Sequence, residues 1–363
     1  MLIFMLLPLV ASGYVLWHVY QILPLSPWWR WVAVVLLAIP FFLLFVGFNH
    51  RLDEMPMPLA SAVYEVGTSS LIILLYLFML FILLDLGRLF HLVPASFLKG
   101  SWAGTAFVAG LMLVVFIYGN LHYRNKVRQP LQLTTAKHLS KPVRIVMISD
   151  LHLGYHNRRS ELHRWIDLLN AEHPDLVLIA GDIIDRNIRP LEEQKMWEEF
   201  HRLKAPVVAC LGNHEYFAGE PNSLSFYEKA GIRLLRDQVL IMGDLAIAGR
   251  DDRFKPRRKS VKALTAPIDR SKYIILLDHQ PYHLEHAEQA GIDFQLSGHT
   301  HHGQVWPISW ITESVYEKAF GPYSKGKTQY YITSGIGLWG GKFRIGTCSE
   351  YIVADITSTA SGH

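Results

Sequence analysis

The chain opens with long apolar runs and changes, past Asn120, to short ones. Four stretches carry no formal charge: residues 1–29, 31–50, 66–84 and 100–123. A helix needs roughly 20 apolar residues to cross the hydrocarbon core, so this pattern predicts four membrane-spanning helices. Trp17, Tyr20, the Trp28-Trp29-Arg30-Trp31 cluster, Trp102, Tyr118 and Tyr123 fall near the predicted ends, where amphipathic rings favour the headgroup layer. The first run lacks a basic start and a small-residue cleavage site and is read as an anchor. Gly100 and Gly104 have the spacing of close helix packing.

Residues 120–142 form a basic, polar connector with Pro130 and Pro142. The expected organisation is a membrane domain over 1–123, a basic linker over 124–142 and a soluble domain over 143–363. Beyond the linker, short β-branched runs alternate with helical periodicity. Strands are predicted at 143–148, 175–180, 206–211, 273–277, 293–296, 330–333 and 351–354. Leu162, Trp165, Ile166 and Leu169 make one helical stripe, and 191–203 and 284–290 are further predicted helices. A β-α-β-α-β series of this kind implies a sheet that is at least partly parallel.

Charge sharpens the division. Arg30, Arg51, Asp53, Glu54, Glu65, Asp85, Arg88 and Lys99 are the only formal charges before Asn120, although the chain holds 35 Lys and Arg and 31 Asp and Glu. Arg124, Lys126, Arg128, Lys137 and Lys141 follow the last predicted span, and with Arg51 they outnumber the basic residues of the other side. The positive-inside rule then expects an inner- or plasma-membrane protein with its soluble domain in the cytoplasm. Cys210 and Cys348 are too few for a disulfide framework, in keeping with a reducing compartment. A basic run, Arg253 to Lys262, reads as a solvated loop, a contact for anionic headgroups or a guide for an anionic substrate. It lacks the aromatic interleaving that nucleic-acid binding favours, so no nucleic-acid partner is expected. The sequence carries no signal of oligomeric state.

Five clusters stand at the ends of apolar runs: Asp150-Leu151-His152, Gly181-Asp182-Ile183-Ile184-Asp185, Gly212-Asn213-His214-Glu215, Asp278-His279-Gln280-Pro281 and Ser297-Gly298-His299-Thr300-His301. Open α/β sheets place their sites at the carboxyl ends of strands, where separate loops converge. Residues i and i+2 leave an extended chain on one face, so Asp150 with His152, and His299 with His301, can share an ion. Hard oxygen donors mixed with imidazoles suit divalent cations such as Mn2+, Fe2+ or Zn2+. Each block also has a plainer reading: a strand-end turn at Asp182, or a helix start in which Asn213 caps and Glu215 meets the helix dipole.

The order of the five blocks resembles the calcineurin-like metallophosphoesterase superfamily, over residues 143–356. Within it the chain is most similar to the membrane-attached branch, the transmembrane proteins with a metallophosphoesterase domain. The resemblance implies an N-terminal all-α membrane domain of four transmembrane helices followed by an α/β metallophosphoesterase domain, a β-sandwich of mixed sheets flanked by helices. It implies two divalent metal ions, the first held by Asp150, His152, Asp182 and His301, the second by Asp182, Asn213, His279 and His299. A bridging hydroxide would attack a phosphoester or pyrophosphate bond. His214 is implied as the catalytic residue that serves the leaving oxygen, and Asp185 as the acid that orients it. His302 stands where the family commonly has glycine, and either contacts substrate or faces solvent. The expected partner is a phosphate-containing substrate; the anchor points to a membrane-resident one, such as a phospholipid or a lipid-linked nucleotide diphosphate. The alternatives are a non-enzymatic membrane receptor or regulator that keeps the fold, and a four-helix transporter with a regulatory domain. The receptor would have lost ligands, and the transporter would show intramembrane charge pairs, to which only Asp85 comes near. The segment Leu338 to Arg344 reads as a flexible apolar-basic loop with exposed aromatics.

Overall fold

The computed structural model describes residues 2–47 and 50–359. The outer ends of the first predicted span and of the soluble domain, and residues 48 and 49 of the second span, lie outside the described residues. The chain divides into two compact units, Met1–Leu121 with Gly340–Phe343 and His122–Trp339 with Arg344–His363.

The first unit is built from helices α1 (Leu2–Ile22), α2 (Pro27–Gly47), α3 (Met57–Leu89) and α4 (Trp102–Arg124). Among the described residues α2, α3 and α4 are long and apolar enough to cross a membrane. The α3 helix runs 33 residues, well past the predicted 66–84, because charge does not stop it. Asp85 accepts a hydrogen bond from Tyr14 Oη at 2.7 Å and pairs with His18 at 3.0 Å and Arg88 at 3.1 Å. Three partners, two of them on α1, replace the water that the carboxylate would otherwise require.

The second unit holds two six-stranded mixed sheets. The strands are β1 (Lys126–Thr135), β2 (Val143–Ile148), β3 (Leu176–Ala180), β4 (Val207–Cys210), β5 (Arg233–Leu234), β6 (Gln238–Met242), β7 (Leu245–Gly249), β8 (Tyr273–Leu277), β9 (Phe294–Ser297), β10 (Gly321–Lys325), β11 (Thr328–Ile332) and β12 (Ser349–Ser358). The first sheet has the order β1-β12-β2-β3-β4-β5 and the second β10-β11-β9-β8-β7-β6. Strands β2 to β5 are parallel to one another, as are β7, β8, β9 and β11.

Alternation along the central strands sorts the apolar residues into layers. Ile145, Met147, Leu178 and Cys210 of the first sheet share one buried cluster with Ile247, Ile275, Leu277 and Leu296 of the second. Val146, Ile148, Val177 and Ile179 face the other way, into a cluster with Leu162, Trp165, Ile166 and Leu169 of helix α5 (Arg159–Ala171). Ile274 and Leu276 pack likewise with Val261, Leu264, Leu284 and Ala287. Both faces of each sheet are therefore buried, which is why the strands read as continuous apolar runs.

Three expectations need correction. The basic linker contains β1, which pairs in parallel with β12 along ten residues, from Lys126↔Ser349 to Thr135↔Ser358. Its charges mask an alternation that ends in buried Leu133, and Pro130 is tolerated because β1 is an edge strand. The single predicted helix 191–203 is two short ones, α6 (Arg189–Glu193) and α7 (Trp197–Phe200). Lys195 between them has φ 48°, which no α-helix accommodates. The loop 338–344 is not exposed: Leu338 and Arg344 are buried, and the Arg344 guanidinium donates to the carbonyls of His301, Ser334 and Gly337.

Strand β1 has a direct consequence for stability. A soluble version starting at Val143 strips ten residues of pairing from β12 and removes Leu133 from the core, leaving an exposed edge. It is expected to melt lower and aggregate more than a version starting at Asn125, as thermal unfolding with light scattering will read.

Candidate metal centre

The site is assembled from the carboxyl ends of five strands, three in one sheet and two in the other. Asp150 and His152 follow β2, Asp182 and Asp185 follow β3, and Asn213 and His214 open helix α8 (Asn213–Phe217) after β4. From the second sheet, His279 follows β8, and His299 and His301 follow β9. Parallel pairing aligns these ends on one edge of each sheet.

Backbone bonds then lock the loops together. Asp150 N–H donates to Gly181 O at 3.1 Å, His152 N–H to Asp182 O at 3.0 Å, and Asp185 N–H to Leu153 O at 2.9 Å. Across the sheets, His299 N–H donates to the Asp150 carboxylate at 3.1 Å. Close approach needs glycine at two points. A Cβ on Gly212 would lie 2.1 Å from Asp182 Oδ1, and one on Gly298 2.2 Å from Asp150 Oδ2.

The same locking holds strained conformations. Asp150 (φ 56°), His152 (44°), Asp182 (53°), His299 (71°) and His301 (49°) all occupy the left-handed region. This conformation costs a non-glycine residue on the order of 1–2 kcal/mol. Strain of this kind persists only where the surroundings over-determine it, and it collects at functional sites.

Eight of the nine sequence-predicted site residues fall into three groups, each with its donor atoms within 4.8 Å: Asp150–His152–His301 and His152–Asp185–His214, which share His152, and Asp182–His279–His299. Asn213, the ninth, lies between Gly212 and His214, whose N–H donates to Asp182 Oδ1 at 2.9 Å. The Asn213 Oδ1 is buried without a hydrogen bond. Most of the cluster is buried: Asp150, His152, Asp182, Asp185 and His279 are at most 2% exposed, so their charges must be met by one another or by a ligand.

Hydrogen-bond partners constrain the histidine tautomers. His279 Nδ1 lies 2.7 Å from the Ala180 carbonyl, which can only accept, so Nδ1 carries the proton. Its Nε2 lone pair then faces Asp182 Oδ2 at 3.0 Å, and only a proton or a metal cation between them makes that contact favourable. His152 Nε2 and His301 Nε2 face each other at 3.0 Å, which poses the same demand.

Charge states follow that geometry. Burial alone would raise the Asp182 carboxyl, but the His279 and His214 imidazoles hold it well below its ordinary range. Burial opposes a charge on His152, yet the Asp150 and Asp185 carboxylates beside it push it up to about 10. His279 is likewise raised, against burial, by Asp182. Burial, reinforced by His279, pulls His299 down to about 4, and burial holds His301 well below its usual value despite Asp150. Without a cation the carboxylates are thus balanced by protons on two imidazoles. The donor set, carboxylate oxygen and imidazole nitrogen converging in one buried cluster, fits divalent metal in place of those protons.

His214 Nδ1 contacts the Asp185 carbonyl at 2.6 Å and therefore donates, and Asp185 Oδ1 lies 3.4 Å from both His214 Nδ1 and His152 Nδ1. Asp278, within the fourth block, stands apart: it pairs with Arg250 and Arg258, each at 2.9 Å. His302 neither joins the cluster nor faces solvent freely; it pairs with Glu313 at 2.9 Å and stacks on Phe320.

Glu215 does more than meet the helix dipole. It is buried and accepts the N–H groups of Gly212, Asp182, Ile183 and Ile184, clamping the β3 and β4 loops in one carboxylate. The cap is Gly212 and not Asn213, one residue earlier than expected, which frees the Asn213 side chain. Asp182→Glu215 bonding has no signature in local sequence beyond the glutamate itself. The basic run proves half structural, with Lys255 on Asp251 and Arg258 on Asp278, and it does contain one aromatic, Phe254.

Residues 143–303 match the family described as calcineurin-like phosphoesterase. An uncharacterized metallophosphoesterase of Campylobacter jejuni is 33% identical over 225 residues, 60% of this chain and 60% of that protein. Another from Aquifex aeolicus is 31% identical over 59% of this chain and 85% of its own length. A transmembrane protein with metallophosphoesterase domain from Danio rerio is 27% identical over 76% of this chain and 69% of that protein. The chain spans about three-fifths of the length of the Campylobacter relative and of a Helicobacter pylori one. Strand-end ligand blocks that the fold gathers into one cluster, and these similarities over the same segment, lead to one conclusion: the chain belongs to the calcineurin-like phosphoesterase family.

Proposed function

We propose that this protein is a membrane-anchored, metal-dependent phosphoesterase that hydrolyses a phosphoester or pyrophosphate bond. The observation that carries the reading is His279 Nε2 set against the Asp182 carboxylate at 3.0 Å, inside a cluster of strained oxygen and nitrogen donors. Asp150, His152, Asp182 and His301 would hold one cation, and Asp182, Asn213, His279 and His299 a second, with Asp182 shared. Bound divalent cations supply Lewis-acid charge to phosphoryl oxygens and acidify water toward neutral pH.

The chain's own residues do the rest. His214 keeps Nδ1–H on the Asp185 carbonyl, so Nε2 is the atom free to serve the leaving oxygen. For Nε2 to give up a proton the ring must pass through the imidazolium form, and the Asp185 carboxylate lies 3.4 Å from Nδ1 on the opposite edge of that ring. Asp185 also braces His152, so one carboxylate positions a ligand and the proton donor together. Every ligand position is filled, so the receptor reading has no observation in its favour.

In this reading α1 completes four spans with α2 to α4, and the two sheets pack as a sandwich through their shared apolar layer. The basic residues after α4 support a cytoplasmic soluble unit. Anchoring supports an amphiphilic substrate, a phospholipid or a lipid-linked nucleotide diphosphate.

With Mn2+ the purified protein is expected to hydrolyse an aryl phosphodiester and to stop on chelation. Asp182→Asn should abolish turnover and lower metal content measured by elemental analysis; activity that survives it would refute the assignment. His214→Ala should retain its metal yet lose about 10²–10⁴ in kcat, the usual worth of a general acid. Asp185→Asn should lose about 10–100-fold, as second-layer partners of ligands do. A fluorescent protein that matures only in the cytoplasm, fused to the C-terminus, should be bright; a dark fusion would reverse the orientation.

A further inference from the structure

The metal centre leaves unexplained a series of rings beside it. Phe217, at the end of α8, lies edge-on to His214 with centroids 5.1 Å apart, and Phe254 lies edge-on to Phe217 at 5.0 Å. Arg253 places its guanidinium 4.1 Å from the Tyr282 centroid. Tyr282 Oη donates to Tyr316 Oη at 3.0 Å, their rings are 4.9 Å apart, and Tyr316 stands 6.3 Å from His299. One site histidine is thus linked to another through four aromatic rings and Arg253, with the step from Phe254 to Arg253 made by the chain itself.

Two features of this arc are costly unless used. Phe217 is 47% exposed and Phe254 54%, although burying such a side chain is worth roughly 1.5–3 kcal/mol. Single exposed apolar residues are ordinary, but two in contact beside a candidate site mark a surface for a ligand. Phe254 is also held in place. Its N–H donates to Asp252 Oδ1 at 2.9 Å, and the buried Asp252 carboxylate accepts Gln280 Nε2 at 2.8 Å. Gln280 follows His279 directly, so the loop that carries Phe254 is latched to the metal centre.

We propose that Phe217, Phe254 and Arg253, backed by Tyr282 and Tyr316, bind the group esterified to the phosphate and select leaving groups with a flat aromatic or heteroaromatic ring over aliphatic ones. The assignment rests on the phosphoesterase reading above, in which His214 serves the leaving oxygen. Whatever that oxygen carries then lies on the His214 side, against Phe217. An aliphatic group gains only buried area there, whereas a flat ring adds stacking on Phe254 and on the guanidinium. Arg253 also supplies a positive charge for a second phosphate or another anionic substituent on the ring.

Phenylphosphonate and cyclohexylphosphonate test this, since they match in size, resist hydrolysis and differ in aromaticity. Titration calorimetry on the full chain in detergent with Mn2+ should give phenylphosphonate the lower Kd by about tenfold, the scale of one stacking contact. Phe254→Leu, which keeps apolar bulk, should bring that ratio close to one, and Phe254→Tyr should preserve it. Equal binding of both phosphonates by the unaltered protein, or a ratio that Phe254→Leu leaves in place, overturns the proposal alone. Failure to bind either, together with no turnover of an aryl phosphodiester, overturns the phosphoesterase reading and the proposal with it.

Discussion

The second unit is organised around Asp182. Its carboxylate accepts the His214 N–H on one oxygen and faces His279 Nε2 on the other, so it touches a loop from each sheet. Its own N–H is held by Glu215. A residue at φ 53° and almost wholly buried can occupy this position only because the neighbouring groups are themselves fixed. Loosening either sheet would separate the Asp182 carboxylate from the His214 N–H and the His279 ring that meet its charge.

That constraint explains features that look unrelated. Gly212 and Gly298 carry no side chain because the Asp182 and Asp150 carboxylates fill the space. Glu215 is buried at an electrostatic cost, its own carboxyl pushed up by burial and by Asp182, because four backbone N–H groups at two strand ends need an acceptor. The parallel order of β2, β3 and β4, and of β8 and β9, is what delivers all of these ends to one place. The chemistry attributed to the site follows from strand direction as much as from residue type.

Much of this was legible in the chain. The central strands are buried on both faces and so announce themselves as short β-branched runs: 143–148 and 273–277 agree with β2 and β8 residue for residue. Where burial is one-sided the signal fades. β1 hides behind its charges and β6 is half exposed, while β7, although buried at every position, holds a single β-branched residue and gives no strand signal. In the helical unit the uninterrupted apolar runs located α2, α3 and α4, but the extent of α3 was misjudged. Glu65 and Asp85 break hydropathy without breaking the helix, since partners on another helix satisfy Asp85.

The sequence by itself determined residue chemistry and local period: which segments are apolar enough to leave water, which strands end in oxygen and imidazole donors, and in what order. Only the tertiary structure decided which donors meet. The pairing of Asp182 with His279, of His152 with His301, and the shared brace of Asp185 join residues as many as 149 positions apart. It also decided that Arg344 is buried, that His302 turns to Glu313, and that Phe254 stands near His214. The physical reason is that a lone pair's demand for a cation is set by distance and direction. Neither exists until two sheets have packed and their loops have closed on each other.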